Sequence, residues 1–213
     1  MEPAQREANP LPPSGPQGIG ASKLLIGEGV DECYFFRAML DHLGIRDVTV
    51  EQYGGKNNLG HYLAALIRRP EFPKLASLGI TRDADANPHG AFQSVCGSLK
   101  MHGLGVPSDP DGSAGARPRV CVYVMPGGGQ PGMLEDLCMA SVGNDAAIPC
   151  VDRYLDCLRT ANRQPEPVIK ARIRAWLASL PRPDLELGQA AAAGHWPWES
   201  PAFAGLIDFL RNL

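Results

Sequence analysis

No stretch of the chain is apolar for long enough to cross a bilayer. The first residues, MEPAQREANPLPPSGPQGIGASK, also lack the apolar segment that heads a secreted chain. No membrane association is therefore expected, and the cytoplasm is the expected compartment. The six cysteines, at positions 33, 96, 121, 138, 150 and 157, form no CxxC pair and no Cys/His spacing suited to a metal. Cys121 falls in an apolar strand and Cys33 and Cys138 in helical stretches, so buried thiols are expected, as in a reducing cytosol. An excess of positive charge is missing too. A net charge of -3 gives no chain-wide nucleic-acid signature, and any basic surface has to be local. What is present is ordinary for a soluble globular protein: 44% hydrophobic and 20% charged residues. At 213 residues the chain suffices for one domain with a real core, or one domain plus an appendage.

Along the chain, strand-like and helix-like segments alternate. Residues 1–22, rich in Pro, Gly and polar side chains, are expected to be a disordered tail. KLLIGE (23–28), DVTVEQY (47–53), LASLGIT (75–81) and RVCVYVM (119–125) read as strands. Between them, 31–44 repeats apolar residues at the helical period and stops at Gly44, 58–69 reads as a helix capped by Asn57 or Asn58, and 89–103 and 132–142 read as two more. The low-complexity segment 107–118 is expected to be a mobile loop. From about 146 onward the pattern is helical throughout. Such alternation predicts an α/β fold with a parallel, Rossmann-like sheet of four strands flanked by helices, because parallel strands need crossovers. The expected division is a tail (1–22), an α/β domain (23–145) and a helical C-terminal cap (146–213).

Open parallel sheets bind ligands beyond the carboxyl ends of their strands. Glu28 ends the first strand and Asp83 and Asp85 end the third. Like charges so placed repel unless a proton or cation separates them. Carboxylates at short spacing favour a hard, oxygen-seeking ion such as Mg²⁺. Gly27 and Gly29 flank Glu28 and leave room for a bulky anion. Each acid also has an ordinary structural reading. Asp31 suits a helix cap, Glu32 complements a helix dipole or turns toward the site, and Asp83 and Asp85 suit a turn before Asn87-Pro88.

Glu28-Gly29 after the first strand and Asp83-Ala84-Asp85 after the third resemble the two signatures of the Toprim domain, shared by topoisomerases, bacterial primases, recombination-repair proteins and the overcoming-lysogenization-defect nucleases. GGKNNL (54–59), MPGGGQPGMLED (125–136), KARIRAWLA (170–178) and LGQA (187–190) extend the likeness, from about Lys23 to the C-terminus, to a Toprim-like family of small bacterial proteins. Two departures are visible: Gly27 stands where a bulky apolar residue usually precedes the Glu, and glycines replace polar residues near MPGGG. The resemblance implies metal-assisted phosphoryl transfer with Mg²⁺ or Mn²⁺. Asp83 and Asp85 would hold the ion, and Glu28 would be a ligand or a general acid/base. A second ion would call on Glu32 and Glu135, with Asp136 behind them; helix-dipole acids are the alternative for the latter two. Lys56 follows two glycines and is a candidate phosphate contact, though GGK is not a P-loop.

No room remains for a topoisomerase gate and no zinc module for a primase, which leaves hydrolytic cleavage as the leading activity, with a bacterial defence or toxin-like effector as one expected setting. The alternative is a non-catalytic module binding a nucleotide, nucleic acid or protein partner, including another copy of itself. DNA, RNA and nucleotide substrates stay open. In VIKARIRAWLASL, Ile169, Ile173, Trp176, Leu177 and Leu180 form an apolar stripe expected to pack in the core, while Lys170, Arg172 and Arg174 make a basic face that is either solvated or in contact with phosphates. His195, Trp196 and Trp198 are expected to cover the core rather than to stack on a base.

Overall fold

The structure, a computed structural model, describes residues 19–110 and 112–213. Five strands, β1 (Lys23–Gly27), β2 (Val48–Gln52), β3 (Ser77–Asp83), β4 (Ser113–Ala114) and β5 (Arg119–Met125), form one sheet in the order β2-β1-β3-β5-β4. All pairings are parallel except that of β4 with β5. The helices are α1 (Val30–His42), α2 (Leu59–Leu66), α3 (Pro88–Met101), α4 (Leu134–Ser141), α5 (Ile148–Thr160), α6 (Val168–Leu177), α7 (Leu187–Ala192) and α8 (Ala204–Arg211).

The inner strands are apolar on both faces because helices cover both. Leu24, Ile26, Leu78, Ile80 and Val122 join α2 and α3 in one cluster, while Leu25, Cys121, Tyr123 and Met125 join α1 and the C-terminal helices in the other. Gly79 serves the second face by its lack of a side chain: a Cβ there would lie 2.6 Å from Leu213 Cδ1. The stripe on α6 packs as its period predicts, with Ile173, Trp176 and Leu177 buried. Trp176 stacks on Trp196 at 4.8 Å, and Trp198 meets Phe35 edge-on at 5.3 Å. The tryptophans are core, as expected.

The chain leaves β1 through α1 on one face and returns to β3 through α2 on the other. The crossovers thus diverge between β1 and β3, which is the topological switch point of the sheet. At α3, Asn87 Oδ1 accepts the Gly90 N–H at 2.9 Å with Pro88 in the first turn, an ordinary N-cap.

Several expectations are corrected here. The sheet has a fifth strand, because 107–118 is not a free loop: Ser113 and Ala114 pair with Cys121 and Val120, Pro107 is buried, and a Cβ on Gly105 would meet Ala114 O at 2.5 Å. Residues 19–22 are not tail. Ile19 is buried against the α2–α3 cluster and the Ser22 carbonyl accepts the Ala76 N–H at 2.7 Å. The rest of the expected tail, 1–18, lies outside the described residues. Asn58 occupies the α2 N-cap position but donates to the Gly54 carbonyl instead of accepting from the helix. Among the described residues no helix is long and apolar enough to cross a membrane, and the cysteines are free, four buried and two exposed.

Candidate active site

Register places Ile26 beside Ile80, so the next residues carry Glu28 and Asp83 out of adjacent strand ends at the switch point. Glu28 Oε1 lies 3.2 Å from Arg82 Nη1 and accepts the Asp83 N–H at 3.4 Å. One turn into α1, Glu32 folds back, and its Oε2 accepts the Glu28 N–H at 2.9 Å. That return path runs over Gly27, where a Cβ would lie 2.7 Å from Glu32 Oε2. The glycine that departs from the family pattern therefore makes room for a second carboxylate, not for a ligand. Gly29 is different, with nothing within 4 Å of a Cβ built on it. Asp83 Oδ1 accepts the N–H of Leu134, the first residue of α4, at 3.1 Å, which brings Glu135 to the same place.

These groups line one cavity of ≈ 610 Å³. Glu28, Glu32, Asp83 and Glu135 make its acidic floor, and Lys170, Ile173, Arg174 and Leu177 of α6 face them. Burial sets the electrostatics. It pushes the Glu32 carboxyl well above the usual range, with the charge of Asp83 adding to the effect. It also pushes Asp83 up to about 7, with Glu28 and Glu135 adding and the Leu134 N–H opposing. Asp31, on the same rim, is raised by burial against the pull of the Gly188 N–H. The basic face of α6 is not simply solvated: Lys170 lies 3.6 Å from Glu135, Arg172 2.9 Å from Asp152 and Arg174 2.6 Å from Glu186.

Not every expected residue joins the cavity. Asp85 adopts φ 50°, its carbonyl accepts the Gly132 N–H at 2.7 Å, and its carboxylate pairs with Lys56 at 3.2 Å, outside the cavity lining. Asp136 caps α4 by accepting the Met133 N–H at 2.8 Å, where the sequence offered a second-ion ligand or a helix-dipole acid. Asp31 caps no part of α1. Its Oδ1 accepts the Gly188 N–H at 2.7 Å and so fastens α7. Sequence reasoning passed over Arg82, whose signal is a cation inside an otherwise apolar strand, one residue before Asp83. It also passed over the pairing of Lys170 with Arg174, which share one helix face with Ile173 and Leu177.

The donor set suits a hard divalent cation, since it is all carboxylate, largely removed from water and mutually repelling. Among the described residues, no three His, Cys, Asp or Glu side chains converge closely enough to hold an ion in their present rotamers. Glu28 is turned to Arg82 and Asp83 to the Leu134 N–H.

Fold and cavity thus define an α/β protein with an acidic, roofed site at the switch point of its sheet. The chain belongs to the family described as protein of unknown function (DUF3226), whose model matches residues 22–213. No match is found among curated proteins. Among solved structures, the chain is similar to the C-terminal region of the Burkholderia pseudomallei OLD protein, with 14% identity and a TM-score of 0.48 over 90% of this chain and 98% of that one. It is also similar to the C-terminal region of the Xanthomonas campestris pv. campestris OLD protein, with 15% identity and a TM-score of 0.47 over 91% and 96%.

Proposed function

We propose that this cavity is a site of phosphodiester hydrolysis in nucleic acid, dependent on Mg²⁺ or Mn²⁺. The observation that carries the reading is the packing of Glu28, Glu32, Asp83 and Glu135 around one space, where burial and mutual repulsion already favour taking up a positive charge. The Toprim-like motifs at Glu28 and at Asp83–Asp85 support it. Glu28, Glu32, Asp83 and Glu135 would hold a divalent ion, with Asp85 joining them on release from Lys56. When bound, that ion polarises a phosphoryl oxygen and offsets developing negative charge. The chain's own groups supply the rest. Arg82 and the Asp83 N–H hold the Glu28 carboxylate at the strand end, Lys170, Arg174 and Lys56 supply positive charge for phosphates, and α6 limits the access of water.

Incubation of the purified protein with labelled single- and double-stranded DNA and RNA, with Mg²⁺, Mn²⁺ or EDTA, tests the reading. Cleavage is expected with either metal, absent with chelator, and lost in Glu28→Gln and Asp83→Asn. Cleavage that survives both substitutions removes the assignment. One observation favours a second reading, a non-catalytic module that binds nucleic acid, a nucleotide or a protein: Glu28, Asp85 and Glu135 each already have a cationic side chain of the same chain within 4 Å. Binding without metal-dependent cleavage in the same assay selects it.

A further inference from the structure

Strand β3 carries a cation where its pattern calls for an apolar side chain. Leu78 and Ile80 join the cluster under α2 and α3, and Arg82 follows them on the same face, buried, in register with Val124 of β5. Burying a guanidinium costs free energy, and apolar replacements of buried ion pairs are often neutral or stabilising. Core packing therefore does not account for Arg82. Its contacts do. Nη1 lies 3.2 Å from Glu28 Oε1, and the Tyr53 hydroxyl accepts a hydrogen bond from the guanidinium. Tyr53 is itself buried and held twice. Its hydroxyl donates to the Thr81 carbonyl at 3.0 Å, and its N–H to the Gly27 carbonyl at 2.9 Å. The ends of β2, β3 and β1 are thus joined in the order Tyr53, Arg82, Glu28.

Only the last of the three lines the cavity; Arg82 and Tyr53 stand behind it. Both contacts of the Glu28 carboxylate, with Arg82 and with the Asp83 N–H, fall on Oε1. Among the described residues, Oε2 is the oxygen left unengaged. Groups that hold a metal ligand from behind fix its orientation, and losing one typically costs about 10–100-fold in metal affinity. We infer that Tyr53 and Arg82 are positioning residues: Tyr53 fixes the guanidinium, the guanidinium takes Glu28 Oε1, and Oε2 is thereby kept for a divalent cation. This rests on the reading of the cavity as a metal-dependent site. A guanidinium offers several N–H groups in one fixed plane, so it meets Tyr53 and Glu28 together; an ammonium has no such fork.

Mn²⁺ binding, read from the loss of the free-ion signal in electron paramagnetic resonance, tests this without any substrate. Tyr53→Phe removes one oxygen, should leave the circular dichroism spectrum unchanged, and should raise the Mn²⁺ dissociation constant about tenfold. Tyr62→Phe is the matched control, since its hydroxyl donates to Glu51 at 2.5 Å, and neither residue lines the cavity. It should lower the melting temperature comparably and leave the dissociation constant within about twofold of wild type. Arg82→Lys keeps the charge and should weaken Mn²⁺ at least as much as Tyr53→Phe does. Tyr53→Phe with wild-type affinity, or equal weakening by both phenylalanine variants, overturns the inference and leaves the metal site standing. Arg82→Lys with wild-type affinity overturns it too, because charge alone would then suffice. A wild type that binds no Mn²⁺ retires the metal site and the inference together.

Discussion

Arg82 Nη1 lies 3.2 Å from Glu28 Oε1, with only 10% and 17% of the two side chains exposed. The Tyr53 hydroxyl beside them donates to the Thr81 carbonyl at 3.0 Å and accepts from Arg82. A guanidinium in this setting fixes where the carboxylate points, and taking it away strands a charge out of water. Arg82→Met should therefore cost about 3 kcal/mol in chemical denaturation, most of it from the unpaired Glu28. Glu28→Gln keeps an acceptor for the Asp83 N–H, so the double variant should be more stable than the sum of the two losses predicts, by at least about 1 kcal/mol. Strict additivity would mean that the two side chains do not act on each other.

The reach of the sequence is clearest at this same place. Glu28 and Asp83 were legible because each ends an apolar run, and the order of strands and helices brings such ends together at a switch point. The apolar period on α6 and the helix that follows Asn87-Pro88 were legible for the same local reasons. What was not legible depends on contacts between distant segments. Asp31 resembles a helix cap in sequence and finds its partner 157 residues away at Gly188. Asp85 stands two positions from Asp83, yet its left-handed backbone turns it to Lys56 and out of the cavity. The edge strand β4 has two residues and no apolar pattern of its own, so only its pairing with β5 reveals it.

The α1–α7 crossing gives a prediction about packing. A methyl group at Gly188 would press on the Asp31 backbone and Tyr34 Cβ, 2.3 Å and 2.6 Å away, and neither is a flexible side-chain end. Gly188→Ala should destabilise by about 1–3 kcal/mol despite the better helix propensity of alanine. At Gly29 nothing stands within 4 Å and φ is -135°, so Gly29→Ala should lie within about 0.5 kcal/mol of wild type. Equal effects in denaturant titrations would show that α1 and α7 can separate to admit a methyl group at little cost.

The raised acids set a dependence on pH. Asp83 is pushed from 3.8 up to about 7, and Glu32 is raised as well. Between those values the native state holds protons that the unfolded chain has released. The metal-free protein should therefore lose stability as pH rises from about 4 through about 7, by an amount on the order of a few kcal/mol. Asp83→Asn keeps the acceptor for the Leu134 N–H and carries no charge, so it should melt higher than wild type at pH 8 and show a shallower slope. Thermal melts in EDTA across this range check the sign. Stability that climbs from pH 5 to 8 would mean the carboxylates are relieved by something other than protons.

Metal binding separates the roles of the paired aspartates. An ion that binds only the native state stabilises it by about 2.7 kcal/mol at a hundredfold excess over its dissociation constant. That gain should disappear in Asp83→Asn, which removes charge from the floor of the cavity. For Asp85 the ion has to compete with Lys56, which holds the carboxylate at 3.2 Å across a half-exposed pair. Such pairs are worth about 0.2–1 kcal/mol, so Lys56→Ala should tighten Mn²⁺ binding by a factor of up to about five and enlarge the thermal shift at sub-saturating metal. The same variant should bind a phosphate-rich strand more weakly, because it loses a cation at the strand ends. If Lys56→Ala leaves the Mn²⁺ response unchanged while Asp83→Asn abolishes it, Asp85 takes no part in holding the ion. Its place one residue after Ala84 then serves the bridge to Gly132 alone.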